Sequence, residues 1–401
     1  MQRYATEAVA APDVALQLPT GSGKTLVGLL IAEWRRRKFN EKVVYLCPTR
    51  QLVNQVVSQA EQQYGLAVNG FVGSKADYSP AAKAEYQSAA KIAVTTYSSL
   101  FNSHPYFDAP DVIILDDAHA AENYIAAMWS LRIDGSEKSE QPLFTAISAL
   151  LRPFLSRVDF ARLEGSTHPA IADPSWVDKI PAPAMLKISG ELAAIMDQYA
   201  AVNDEIKYSW QTIKNHLDAC NLFISSKEIL IRPLIPPTWT HRPFEHAKQR
   251  IFMSATLGEG GDLERLTGRK KIMRIPVPEG MDRQGIGRRF FIFPEMSIRR
   301  DAVPELMAKL CKMVPRSVFL VPSKRDANQI TKLVEWMGNT AVDAEYIEKS
   351  KSTFTGATNV AAVIANRYDG IDFPGDECRL LFIDGLPKMT NLQEKFIFSR
   401  M

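Results

Sequence analysis

The sequence predicts an α/β protein of two lobes, each built on a buried parallel sheet, with a mainly helical insert interrupting the first. Three observations predict it. From residue 13 to about 119, short apolar runs alternate with helical stretches, and the same alternation returns from about 288. Between 121 and 245 the text changes to amphipathic helix. Strands apolar along their whole length are buried on both faces, as in parallel sheets covered by helices. A chain of 401 residues also exceeds one ordinary core, since domains run to about 150 residues. The expected division is residues 1–120 with 246–280 as a first lobe, 121–245 as the insert and 281–401 as a second lobe.

The elements follow in order. The first lobe takes strands from DVALQLP (13–19), KVVYLCP (42–48), KIAVTTY (91–97), DVIILDD (111–117) and, beyond the insert, RIFMSATL (250–257). Helices are expected over 24–38 and 50–63, the second capped by Thr49. The insert should hold helices over 191–201 and 205–217 and a hairpin in LFISSKEILIRPL (222–234). The second lobe should take strands from RRFFIFP, RSVFLVPS, VAAVIAN and CRLLFIDGLP. No internal repeat or low-complexity run is present.

Composition narrows the class. Hydrophobic residues at 46% and charged residues at 23% suit a soluble globular chain and exclude a disordered tail or a collagen-like fibre. No apolar run approaches the roughly 18–20 residues of a membrane span, and the first residues lack the basic-then-apolar order of a secretory signal. The formal net charge is +3, so a nucleic-acid partner must be gripped by local patches. One patch lies between 264 and 300, with ten Lys or Arg against four acids. The insert is instead acidic, with 15 Asp or Glu against 12 Lys or Arg. Cys47, Cys220, Cys311 and Cys378 lie far apart, as reduced thiols of a cytoplasmic protein do, and offer no metal-site spacing.

Two motifs carry chemistry. In LQLPTGSGKT a strand runs into Thr20, Gly21, Ser22, Gly23, Lys24 and Thr25 and then into an apolar helix. Glycines let successive backbone N–H groups turn toward phosphate oxygens, and the helix presents its positive end to the same anion. Lys24 reaches terminal phosphates and the Thr25 hydroxyl ligates Mg²⁺. The strict pattern wants a first glycine where Leu18 stands. The second motif is VIILDDAH. After a buried strand, Asp116 is placed to hold Mg²⁺ through water, Asp117 to polarise an attacking water, and His119 to link the site onward.

These two motifs resemble those of the DEAD/DEAH-box helicases of superfamily 2, and further matches fall in the right order. Pro48, Thr49 and Arg50, followed by Gln51, Leu52 and Gln55, resemble motif Ia, which touches a nucleic-acid backbone. Thr95 and Thr96 stand where the family places another backbone contact. Ser254, Ala255 and Thr256 resemble motif III, which couples the ATP site to strand movement. Ser323 and Lys324 lie in text similar to motif IV. Residues 366–387 resemble motif V in the form found in XPD/DinG-type helicases, where Gly370 and Asp372 face the nucleotide and the strand. The resemblance implies two RecA-like lobes with an ATP cleft between them, Mg²⁺ as metal, and backbone-directed binding of DNA in preference to RNA. It implies an ATPase that translocates on or unwinds that strand. The insert's position is that of the arch of XPD-type enzymes, and its acidic balance favours a protein partner.

Three departures qualify the resemblance. Asp117 stands where the family has Glu, one methylene longer. Only Cys47 lies between motifs I and II, so no iron–sulfur cluster is expected. The Q-x-x-G-R-x-x-R text of motif VI is not found before Met401, so the chain is expected to be a fragment that binds ATP yet turns it over poorly. The rival reading is an ATP-gated nucleic-acid clamp or accessory subunit. Two other features read as structural: Arg35, Arg36, Arg37 and Lys38 complement the end of a helix dipole, and Trp129, Trp176, Trp210 and Trp239 pack in the insert. Arg283, Arg288 and Arg289 either contact phosphates or border the cleft.

Overall fold

A computed structural model of the chain describes residues 1–19, 22–258, 261–277, 290–349, 351–365, 373, 375–385, 389 and 391–400. It divides into two compact units, Met1–Gln284 with Met389–Met401, and Gly285–Lys388.

The first unit is built on a seven-stranded sheet. Its strands are β1 (Asp13–Gln17), β2 (Val43–Cys47), β3 (Val68–Phe71), β4 (Ile92–Thr96) and β5 (Val112–Leu115), joined beyond the insert by β10 (Gln249–Ser254) and β11 (Met273–Ile275). Every pairing is parallel, in the order β11-β1-β10-β5-β2-β4-β3. The carboxyl ends of β1, β10, β5, β2 and β4 therefore line one edge, where open α/β sheets bind ligands. Alternate residues serve two cores. Val14, Leu16, Val43, Tyr45, Ile114 and Ile251 pack with Leu29, Ile31 and Ala32 of the helix Lys24–Phe39. Ala15, Val44, Leu46, Ile113, Leu115 and Phe252 join the core of the insert.

The insert holds more sheet than its text suggests. Strands β6 (Leu131–Asp134), β7 (Val177–Lys179), β8 (Cys220–Ser225) and β9 (Glu228–Pro233) form an antiparallel sheet in the order β6-β9-β8-β7. The expected hairpin is β8–β9. One face, with Leu222, Ile224, Ile229 and Ile231, joins the main core beside Leu192 and Met196 of the helix Ala182–Ala200. The other, with Phe223, Leu230 and Val177, lies under the helix Leu392–Ser399, whose Leu392 is buried there. Its residues fall within 281–401, the stretch expected as the second lobe, but they group with the first unit. Trp129 and Trp210 are buried as expected, whereas Trp239 is 57% exposed.

The second unit has a four-stranded parallel sheet, β12 (Arg316–Val321), β13 (Thr340–Val342), β14 (Val360–Ala365) and β15 (Leu380–Ile383), in the order β13-β14-β12-β15. The strand expected in RRFFIFP is corrected: Phe290, Phe291, Ile292 and Phe293 belong to no sheet and are exposed. The run has the residue types of a strand, but no sheet edge among the described residues pairs with it. No helix of the described residues is long and apolar enough to cross a membrane.

Candidate functional site

The order β1-β10-β5 decides the site, because it sets Ser254 at the end of the middle strand between the loop after β1 and the acids after β5. Thr20 and Gly21 lie outside the described residues. Before them Pro19 closes a turn, its carbonyl accepting from the Ser22 N–H at 3.1 Å and the Ser22 hydroxyl at 2.6 Å. Gly23 then takes a left-handed conformation, φ +76°, with open space on its Cβ side. The helix Lys24–Phe39 starts immediately after it, with Lys24 and Thr25 in its first turn. Gly28, one turn on, lets the helix lie against the sheet, since a Cβ there would meet Met253 and Tyr45.

Lys24 Nζ is ion-paired with Asp117 Oδ1 and stands 3.6 Å from Asp116 Oδ1. Asp117 has φ +51°, a left-handed conformation that a non-glycine residue adopts at some cost. Asp116 is buried. The Tyr45 hydroxyl donates to its Oδ2 at 2.8 Å, and the Asp117 N–H donates to its Oδ1 at 3.0 Å. The Tyr97 hydroxyl donates to its backbone carbonyl at 2.8 Å. Burial pushes the Asp116 carboxyl above the usual carboxylate range, against the pull of the Lys24 charge. Burial also opposes the charge on Lys24, but Asp116 and Asp117 outweigh it and hold its ammonium above the usual lysine range. The site thus keeps one cation between two carboxylates at a sheet edge.

Behind it, His119 Nδ1 meets Ser254 Oγ at 2.7 Å, and the Thr256 N–H donates to the same oxygen at 3.2 Å. The Ala255 carbonyl accepts from Gln17 Nε2 at 3.4 Å. The turn after β5 and the loop after β10 are therefore hydrogen-bonded to each other. Tyr45 escaped the sequence reading, although a tyrosine inside an otherwise aliphatic buried strand is a signal that its hydroxyl has a partner; Tyr97 opens the short helix Tyr97–Leu100 directly after β4.

A second feature opens at the ends of β2 and β4. A cleft of about 450 Å³ is lined by Pro48, Arg50, Lys75, Tyr78, Thr96 and His104 among others. It gathers Pro48, Arg50 and Thr96, which the sequence had singled out separately. Thr49 lies beside it and caps the helix Arg50–Gln62, accepting from the Leu52 N–H at 3.3 Å. Thr95 is buried and its hydroxyl donates to the Phe71 carbonyl at 2.6 Å, so it faces the sheet instead of the cleft. Lys75 and His104 are new: they come from loops with no motif, and Lys75 Nζ donates to the His104 carbonyl at 3.1 Å.

In the second unit, Ser323 caps the helix Lys324–Trp336 by accepting from the Asp326 N–H at 3.2 Å, leaving Lys324 exposed in its first turn. Gly370, Asp372, Arg283, Arg288 and Arg289 lie outside the described residues. Three of the cations after Trp34 are ion-paired to acids of the same region. Arg35 Nε pairs with Glu41 Oε2 at 2.6 Å, and Arg36 and Arg37 both pair with Glu33.

Residues 1–149 match the family model of the DEAD/DEAH box helicases. The chain carries a DEAD/DEAH box helicase domain. Among solved structures it is similar to the one named XPD_APO, at 16% identity and a TM-score of 0.51, over 93% of this chain and 80% of that one. It is also similar to the structure of S. tokodaii Xpd4, at 14% identity and a TM-score of 0.50, over 97% and 82%. At such identities the likeness is one of fold, and the fold is that of RecA-like helicase lobes. A search of curated proteins by sequence gives no match. A helicase-type function with a nucleotide and Mg²⁺ is what membership of the domain in this family supports.

The residues of the helicase domain fit that pair. Thr25 and Asp116 offer hard oxygen donors, Lys24 a cation, and the left-handed Gly23 leads directly into the helix N-terminus. Among the described residues no group of three or more His, Cys, Asp or Glu forms a metal cage. Mg²⁺ is commonly held by one or two carboxylates together with substrate phosphates.

Proposed function

We propose that the chain is a nucleic-acid-stimulated ATPase that moves on or unwinds DNA, with RNA the less favoured strand. The observation that carries this is Lys24 held between Asp116 and Asp117 at the same sheet edge as the cleft of Pro48, Arg50 and Thr96. Bound ATP with Mg²⁺ would supply the phosphoanhydride bond that is broken. Lys24 exchanges its carboxylate partners for terminal phosphate oxygens, and the loop of Thr20, Gly21, Ser22 and Gly23 cradles the same anion. Thr25 and Asp116 would hold the metal, and Tyr45 fixes one Asp116 oxygen. Asp117, released from Lys24, orients and polarises water. His119, through Ser254, passes the state of the acids to Ser254, Ala255 and Thr256. In the cleft, Arg50 and Lys75 grip the strand backbone, a contact that is salt-sensitive and indifferent to sequence. By the resemblance alone, Gly370 and Asp372 are proposed as nucleotide and strand contacts, and Ser323 and Lys324 as strand contacts. The acidic insert is proposed to dock a protein partner.

The test is ATP hydrolysis with and without single-stranded DNA and RNA, comparing the chain with its Lys24→Ala variant. Stimulation by DNA that the variant lacks supports the proposal. Saturable strand and nucleotide binding without turnover favours the clamp, a reading that the shorter Asp117 in place of Glu specifically motivates.

A further inference from the structure

Arg232 has no part in the site described so far, yet it is charged and only 3% exposed. It lies on β9, on the face that carries Leu230, where the helix Leu392–Ser399 covers the insert sheet with Leu392 and Gln393 buried. Its Nη2 stands 3.7 Å from Glu122 Oε1, too far for a hydrogen bond, and neither Nε nor Nη2 has a hydrogen-bond partner. A buried guanidinium with unanswered N–H groups is unfavourable, and an apolar residue of similar size usually packs at least as stably. Packing alone therefore does not account for an arginine here.

Its neighbours suggest what does. Glu122 lies in the first turn of the helix Ala121–Ala127, which starts directly after the turn that carries His119. The same Glu122 oxygen is 3.3 Å from Arg265 Nη1, on the helix Asp262–Thr267 that follows Ser254, Ala255 and Thr256. The charge of Glu394, from the covering helix, also acts on Arg232. Asn391, which caps that helix, donates from Nδ2 to Asn123 Oδ1 at 3.0 Å. One carboxylate is thus shared between a cation behind motif III and a cation of the insert, and the covering helix is hydrogen-bonded to the neighbouring residue. The chain passes through the whole second unit before it forms that helix.

We propose that Arg232 is a positioning residue that ties motif II, through Glu122, to the insert sheet and to the helix Leu392–Ser399. A shift of the helix Ala121–Ala127 toward β9 tightens the pair with Arg232 and loosens the pair with Arg265. Whatever moves the helix Leu392–Ser399 is felt behind Asp117 by the same route. The effect on hydrolysis rests on the ATPase reading, whereas the tie itself does not.

Native-state hydrogen exchange on the ligand-free chain tests the tie, comparing Arg232→Met, Glu122→Gln and the double variant. Either single change should raise exchange about fivefold both in 121–127 and in 392–399, with the double variant adding nothing further. Exchange confined to the substituted element, or single effects that simply add, would overturn it. Should Arg232→Met not fold, Glu122→Gln alone gives the same comparison across the two helices. In parallel, Arg232→Met should lower DNA-stimulated kcat about fivefold while KM for ATP changes less than about twofold, and Arg232→Lys should restore part of the loss. Shared exchange in a chain that DNA never stimulates would overturn the ATPase reading and uphold the tie. Normal stimulation in Arg232→Met, with confined exchange, would do the reverse.

Discussion

Asp117 occupies a left-handed backbone position, φ +51° and ψ +49°, that aspartate and asparagine tolerate better than most residues. That geometry turns its carboxylate back onto Lys24. Asp117→Asn keeps the backbone preference and removes the charge, so it isolates the proposed water-orienting role. Nucleotide affinity should hold while kcat for ATP falls about 10²–10⁴-fold; turnover near the parent level would move that role to another residue. His241 makes a different prediction. It is buried, with Nε2 2.9 Å from the Leu100 carbonyl, at the end of the short helix whose Ser98 and Ser99 line the cleft. Burial depresses its pKa below 6.5, with the Leu100 bond pulling the other way. The unfolded chain therefore takes up a proton before the folded one, and the stability it contributes is present above pH 6.5 and lost as pH falls below it. Urea midpoints measured from pH 7.5 to 5 should drop more for the parent than for His241→Gln. Parallel curves would show that His241 is not the titrating group.

At the scale of elements, the helix Lys24–Phe39 is pressed against β2 and β10 at Gly28. A Cβ at that position would lie 2.4 Å from the Met253 methyl and 2.9 Å from the Tyr45 ring. Gly→Ala inside a helix ordinarily stabilises by about 1 kcal/mol. Here overpacking reverses the sign, and Gly28→Ala should destabilise by about 1–3 kcal/mol in urea unfolding. A stabilised variant would show that the contact relaxes freely. Because Tyr45 also holds Asp116, the same change should weaken hydrolysis. What could be read from sequence follows from the same packing. β1, β2, β4, β5 and β10 are apolar on both faces, and such strands announce themselves. β3 and β11 lie at the sheet edges and are short, so their text is ambiguous. The segment RRFFIFP misled because residue types specify a strand only where a neighbouring edge accepts it. Motifs I and II are local in sequence and could be read directly. Lys75 and His104 could not, since their loops are brought to the cleft by Phe71, Tyr78, Tyr106 and Phe107, packed ring against ring.

For the molecule as a whole, a formal net charge of +3 over 401 residues gives no long-range field strong enough to hold a polyanion. The proposed strand binding must therefore come from a few cations placed along one path. The cleft supplies Arg50, which is exposed at the start of its helix, and Lys75, also exposed. For a single strand, each phosphate neutralised contributes about 0.7 to the slope of log affinity against log salt. Removing one contacting cation should therefore flatten the slope by about that amount without changing preference among sequences. The expected result for Arg50→Ala with Lys75→Ala is a slope shallower by about 1.4 than the parent's, measured by fluorescence titration of single-stranded DNA from 50 to 200 mM salt. Nucleotide affinity should stay as it was, because neither residue approaches Lys24 among the contacts at the phosphate turn. An unchanged slope would take the strand away from this cleft and leave the basic stretch between 264 and 300 as its alternative grip.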